Sequence, residues 1–406
     1  MITTLLFDLD DTLLGNDMET FLPAYFGLLT QYFSPEVSAE GLTAALMAGT
    51  RAMFANTDPA RNLRAVFEEV FFQRLGWEPD AWLPRFDEFY RTVYPQLQGV
   101  VRPRPVARTV VEWAIAAGYE VVIATSPVFP LAAIQERLRW AEIADFPYAR
   151  ITHYANSHFA KPNPAYLAEI LACLGRRPDE ALMIGNDWTN DITPAGTLGM
   201  PQFWIAPPDS VPPHSASRTH PIGIGPLEMF FEWAQAALGS LNLPPPPAGA
   251  LPFLLLGNAA VVTSLLEDAP SEESWKLRPG PSEWSLTEIL CHLRDVDVEV
   301  NLPRLSILLE SDNPFISAID SDRWAQERDY QSQSGPQAWH AFMAARKEMH
   351  VRLTSLPLTA WNRPARHSLF GPTHLAEIVG WIVDHDRIHL EQLRATLQKI
   401  SPSLVA

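Results

Sequence analysis

Two cysteines in 406 residues, Cys173 and Cys291, leave no material for a disulfide framework. Both lie in apolar, helix-like stretches and read as buried thiols. Positive charge is scarce too: 30 lysines and arginines against 47 acidic residues give a formal net charge of −17. A nucleic-acid footprint needs clustered basic side chains, so nucleic acid is excluded as a partner. No basic leader precedes the first strand, and no uninterrupted apolar run approaches a bilayer span, so no membrane partner is expected and a cytoplasmic protein is. What remains is 47% hydrophobic and 10% aromatic, a globular composition long enough for two cores.

Proline is plentiful where it marks a boundary. In "LNLPPPPAGALP", residues 241 to 252, four consecutive prolines forbid helix and favour a stiff connector. The expected division is therefore a domain over 1–240, a linker over 241–251 and a second domain over 252–406. In the first domain short apolar runs, "TTLLFDL", "GYEVVIAT", "EALMIG" and "PQFWIA", alternate with helical patterns near 104–117, 130–140 and 164–174. That alternation predicts an α/β, Rossmann-like parallel sheet with helices on its faces. About a hundred residues, 15–100, intervene after the first run; their aromatic spacing (Phe67, Phe71; Phe86, Phe89, Tyr90) is helical, which predicts a helical cap. The second domain reads as an all-α four-helix bundle. "SLTEILCHLRDVDVEVNLPRLSILL" opens with a capping box, Ser285 to Glu288, and Pro303 is expected to kink it. A last amphipathic helix runs over 373–398, with two weaker ones near 252–267 and 336–356.

Chemistry in an open parallel sheet collects beyond the strand carboxyl ends. Asp8, Asp10 and Thr12 follow the first run, Thr125 and Ser126 the second, and Asn186, Asp187 and Asp191 the third, while "HFAKPNPAYL" supplies Lys161 from a loop. Carboxylates gathered at a strand end need a compensating charge such as a metal. These motifs resemble the haloacid dehalogenase superfamily over roughly residues 1–235: Asp8-x-Asp10-x-Thr12, Thr125 at a strand end, Lys161, and the acidic cluster after Gly185. The resemblance implies that Asp8 is a nucleophile forming an aspartyl phosphate, Asp10 a general acid and base, and Thr125 and Lys161 phosphoryl-binding groups. It further implies Mg²⁺ held by Asp8, Asp10 and one or more of Asn186, Asp187 and Asp191. The family usually has Asp directly after the glycine, where Asn186 stands here, so the choice among those three is open. Family members that displace halide lack the acid at Asp10, so phosphatase chemistry on a small phosphorylated metabolite is expected.

His385 and His389 lie four apart on the last predicted helix, and His292 lies on the apolar side of another. Three imidazoles from two helices can hold Zn²⁺, Ni²⁺ or Fe²⁺ and leave positions open. With "EWS" at 283–285 and "HSLFGP" at 367–372, these histidines resemble the DinB-like family of metal-binding bundles over about 250–400. His340, His350, His367 and His374 read as surface or capping residues. The expected function is an Mg²⁺-dependent phosphatase with an appended three-histidine bundle. The rivals are a metal- or thiol-sensing protein and a metal-dependent thiol transferase with a vestigial phosphatase domain. Substrate, bundle metal and oligomeric state, a homodimer among the options, are left open.

Overall fold

The computed structural model describes residues 1–34, 36–213, 221–241, 243–269, 271, 273–321 and 323–401; Asn242 of the expected linker lies outside them. The chain divides into two compact units, Met1–Thr57 with Arg61–Pro246 and Asp58–Ala60 with Pro247–Ala406.

The first unit is built on a six-stranded, all-parallel sheet. Its strands are β1 (Thr4–Phe7), β2 (Glu120–Ile123), β3 (Arg150–Ile151), β4 (Ala181–Gly185), β5 (Gln202–Ile205) and β6 (Gly223–Gly225), in spatial order β3-β2-β1-β4-β5-β6. The four apolar runs supply β1, β2, β4 and β5, buried as a sheet covered on both faces requires. The edge strands β3 and β6 are too short for any alternation to announce them. β1 lies between β2 and β4 in matched register, Phe7 opposite Ile123 and Ile184, so Asp8, Ala124 and Gly185 come side by side at the carboxyl end of the sheet. Successive strands are added first on one side of β1 and then on the other, and such a reversal of strand order opens the crevice where ligands bind.

Residues 15–100 form four helices, Met18–Phe33, Ala39–Ala55, Leu63–Leu75 and Pro79–Thr92. The side chains of Asp17, Ser38 and Asn62 cap the first three. An antiparallel pair, Leu14–Gly15 with Arg102–Pro103, ties the two ends of this insertion together.

The second unit holds four long helical stretches: α1 (Leu251–Glu267), α2 (Leu286–Asp295), α3 (Gly335–Thr354) and α4 (Leu375–Ile400). Ser285 and Glu288 form the expected reciprocal cap of α2. The chain widens into a π turn over Val296–Asn301 before running on as Leu302–Glu310. Pro303 has no N–H and its ring crowds the carbonyl of Glu299, so the expected disturbance falls in the turn before the proline. A small sheet of Phe315–Ile316, Pro364–His367 and Gly371–His374 was not foreseen, and it moves the start of α4 to Leu375, capped by His374. Segments this short carry no period. By length and composition Ala248–Glu267 could cross a membrane, which corrects the expectation that no run approaches that length; most of it is buried inside the protein, as a bundle core helix is.

Candidate functional site

At the carboxyl end of β1 the chain turns at once. Asp8 N–H still donates to Ile184 (2.9 Å), and then the Leu9 carbonyl accepts from the N–H groups of Thr12, Leu13 and Leu14. Asp11 takes the left-handed conformation that this turn needs (φ 58°), which a short polar side chain tolerates. Its carboxylate accepts from Asn16 N–H (3.1 Å). The third acid of the motif is thus a turn residue.

Asp11 also pairs with the half-exposed Arg104 at 3.6 Å, whereas the other two carboxylates have buried cationic partners. Lys161 Nζ, buried, donates to Asp8 Oδ1 at 2.7 Å and to Asp191 Oδ1 at 2.6 Å. Burial pulls the pKa of this ammonium down; Asp191 and Asp8 outweigh it and push the lysine pKa above its ordinary value. Burial raises the Asp8 carboxyl to about 7 against the pull of Lys161, and it raises Asp191 in the same way. Asp191 also accepts from Asp187 N–H (3.0 Å) and packs onto Gly185, where an added Cβ would stand 2.6 Å from its own. That close approach explains the glycine at the end of β4.

Asp10 is held from two sides. Arg137 Nη1 donates to Oδ2 at 2.8 Å and Asn16 Nδ2 to Oδ1 at 2.6 Å. The Arg137 guanidinium is buried, donates from Nε to Tyr94 Oη (2.9 Å), and lies over the rings of Phe129 (4.2 Å) and Phe21 (4.9 Å). Sequence reasoning passed over Arg137 and Asn16. The available signal was a basic residue on the apolar face of Leu131–Trp140, beside the buried Ile134 and Leu138, because a charge there demands a partner.

Thr125 is buried at the crevice, its carbonyl fixed by Thr152 Oγ1 (2.9 Å) and Tyr166 Oη (2.8 Å). Of the acidic cluster, Asn186 Oδ1 accepts from Thr12 Oγ1 (3.2 Å). Asp187 has both oxygens occupied in capping the next turn, by the N–H groups of Thr189 and Asn190 and by Asn190 Nδ2. Asp8, Asp10, Thr125, Lys161, Asn186, Asp187 and Asp191 all border one cavity of about 590 Å³. Hard oxygen donors at this spot suit Mg²⁺. The balance of charge suits it as well: Asp8, Asp10 and Asp191 face only Lys161 and Arg137, so a phosphate entering alone would meet an excess of negative charge.

In the second unit the geometry is a convergence. The Nε2 atoms of His292 on α2 and His385 on α4 are 3.1 Å apart, and those of His385 and His389 3.2 Å. Burial and the neighbouring His389 lower His292 to about 3; burial, His389, His292 and Arg346 do the same to His385. Both rings are neutral at pH 7, the form that ligates. Nitrogens about 2.0–2.1 Å from a tetrahedral ion stand roughly 3.3 Å apart, close to the separations found. His389 Nδ1 is oriented by Gln392 Oε1 (2.8 Å), and the Trp284 ring lies against His292 and parallel to His389. One layer away Arg346 is buried between Asp297 (Nε to Oδ2, 2.5 Å) and Asp386 (Nη1 to Oδ2, 2.6 Å). Cys291, adjacent to His292, is buried and its thiol pushed up to about 11 by that burial. Of the remaining histidines, His340 is exposed, His374 caps α4 and His350 meets the Pro252 carbonyl (3.1 Å), whereas His367 is not at the surface: it is buried against Phe370 and Trp381.

Comparison with known proteins divides the chain in the same two ways. Residues 2–199 match the family of haloacid dehalogenase-like hydrolases, and residues 255–393 match the DinB superfamily. The pyrophosphatase PpaX of Anoxybacillus flavithermus is 26% identical over 186 residues, covering 46% of this chain and 75% of its own. Among solved structures, a haloacid dehalogenase-type phosphatase from Thermococcus onnurineus (17% identity, TM-score 0.38) covers 59% of this chain and 98% of its own. YfiT from Bacillus subtilis, a four-helix bundle of unusual topology (15% identity, TM-score 0.34), covers 38% and 87%. The N-terminal side of the chain is therefore similar to the haloacid dehalogenase-like hydrolases, and its C-terminal side to the DinB superfamily.

Proposed function

We propose that the N-terminal domain is an Mg²⁺-dependent phosphatase that works through an aspartyl-phosphate intermediate on Asp8, under a helical cap formed by residues 15–100. The observation that carries this reading is the buried Lys161 ammonium bridging Asp8 and Asp191 at the floor of the cavity. Lys161 occupies Oδ1 of Asp8, which leaves Oδ2 to attack phosphorus. The bond from phosphorus to the leaving oxygen breaks, and Asp10, aimed by Arg137 and Asn16, gives that oxygen a proton. Water then attacks the phosphoryl group with Asp10 taking its proton, which frees Asp8 and orthophosphate. Lys161 and the Thr125 hydroxyl would orient the phosphoryl oxygens through both steps. Asp8, the Asp10 carbonyl and one or more of Asn186, Asp187 and Asp191 would hold Mg²⁺. The ion when bound supplies charge neutralisation for the phosphoryl oxygens.

For the bundle we propose a divalent transition-metal site, Zn²⁺, Ni²⁺ or Fe²⁺, on His292, His385 and His389, supported by the meeting of three Nε2 atoms. Cys291, buried with a raised pKa, speaks against a thiol of this chain acting there. The primary test is hydrolysis of p-nitrophenyl phosphate by wild type and Asp8→Asn, each with Mg²⁺ and with EDTA. Turnover that needs both the metal and Asp8 supports the phosphatase; turnover that survives Asp8→Asn overturns it.

A further inference from the structure

The cavity above Asp8 is far larger than one phosphoryl group. At about 590 Å³ it falls within the roughly 300–1,000 Å³ of sites that take drug-sized ligands, so most of its space is for what the phosphate is attached to. Its floor is polar and its walls are mostly apolar. The helices of the insertion contribute Leu22, Phe26, Met47, Phe54, Phe71 and Phe86. The hydroxyls of Tyr25 and Tyr90, which also border it, are turned to each other at 2.9 Å, so one of their two O–H donors is already engaged.

Charge narrows the choice further. Among the described residues, the only cations bordering the cavity are Lys161 and Arg137, and both are committed, to Asp8 with Asp191 and to Asp10. On the insertion side the bordering charges are Asp17, Glu19 and Glu68. A second phosphate, as in pyrophosphate, a nucleoside diphosphate or a sugar bisphosphate, would meet carboxylates and aromatic rings with no donor of positive charge. Along the aromatic and aliphatic wall a sugar would leave hydroxyls facing hydrocarbon, without the partners they have in water.

We propose that this site takes a monophosphate ester whose alcohol part is a large apolar group, an aryl or long hydrocarbon chain, with the phosphate on Asp8 and the hydrocarbon along the helical insertion. The proposal rests on the phosphatase reading above and specifies its substrate class. The pyrophosphatase relative gives no hint of it, since its substrate has no apolar part.

The test is a series of n-alkyl phosphates from ethyl to decyl beside pyrophosphate, assayed as orthophosphate release by the full chain with Mg²⁺. Leaving-group basicity is nearly constant along the alkyl series, so any trend reports binding of the chain. The expected result is a rise in kcat/KM of about threefold per added methylene until the cavity is filled, with pyrophosphate slower than octyl phosphate. Met47→Lys and Phe54→Lys put a cation into the apolar wall at positions already 41% and 47% exposed, where the fold tolerates it. Each should lower turnover of octyl phosphate about tenfold or more and raise that of pyrophosphate. Turnover that depends on Asp8 but is flat or falling with chain length, or that favours pyrophosphate in wild type, overturns this inference and leaves the phosphatase standing. Absence of Asp8-dependent turnover for every compound overturns the phosphatase and this inference with it.

Discussion

Both units bury polar groups, but they solve the electrostatic problem in opposite ways. At the end of the parallel sheet the charges themselves face the cavity: Lys161 between Asp8 and Asp191, and Arg137 against Asp10. In the bundle the groups that converge are imidazoles, and the charges, Arg346 with Asp297 and Asp386, are buried and paired with one another. The first arrangement is poised for an anion and a hard cation to enter together, because adding both restores balance. The second is poised for a softer cation alone, because three nitrogens already share one point and gain a common partner. Burial pushes titration in the matching sense: it raises Asp8 to about 7 and lowers His292 and His385 to about 3.

The contrast breaks most directly in a crossed pair of variants. Asp8→Asn should lower phosphate-ester turnover by about 10³-fold or more, as loss of a covalent nucleophile does, while His385→Ala leaves it within about twofold. Activity that follows His385 instead would place the reaction in the bundle, as the thiol-transfer rival requires.

Next in size is the cost of removing each buried guanidinium. Arg346→Met strands two buried carboxylates and should destabilise the bundle by about 3–5 kcal/mol in urea unfolding. Arg137→Met strands one carboxylate at the cavity edge, so its stability cost should be smaller and its main effect a fall in kcat as Asp10 loses its orientation. If the two variants lose equal stability with no effect on kcat, Arg137 is structural like Arg346.

Metal analysis sharpens the second half of the contrast. The purified full chain should carry about one transition-metal ion, and His389→Ala should lose it while keeping Mg²⁺-dependent turnover. Unchanged metal content would refute the ligand set.

The smallest effect is the loss of stability between pH 7 and pH 6 of the protein stripped with EDTA. In the folded chain His292 and His385 stay neutral down to about pH 3, whereas unfolded rings take up protons from about 6.5 downwards. Between those values the unfolded state binds more protons, so this stability is complete above pH 6.5 and falls as the pH drops, by at most about 1.4 kcal/mol per pH unit for each ring. Denaturation midpoints of His292→Ala/His385→Ala should show a flatter dependence than wild type; equal slopes would mean the rings are protonated in the fold.

The sequence alone determined whatever is local. A strand that ends in Asp8-Leu9-Asp10 carries its carboxylates to the sheet's edge, because the next residues cannot stay in the ladder. Two histidines four apart share a helix face by geometry, and Ser285 with Glu288 closes a cap within one turn. What only the tertiary structure decided is which distant groups answer those charges. Asp10 meets Arg137 across 127 positions of sequence, and Arg346 finds Asp297 and Asp386 at separations of 49 and 40. Nor does the aromatic pattern of residues 15–100 distinguish side chains that fill a core, such as Phe33, from those that wall a cavity, such as Phe54. The reason is physical: helical period records that a face avoids water, and both a packed core and a dry binding cavity meet that demand, so the partner of each face is fixed only when the chain has folded.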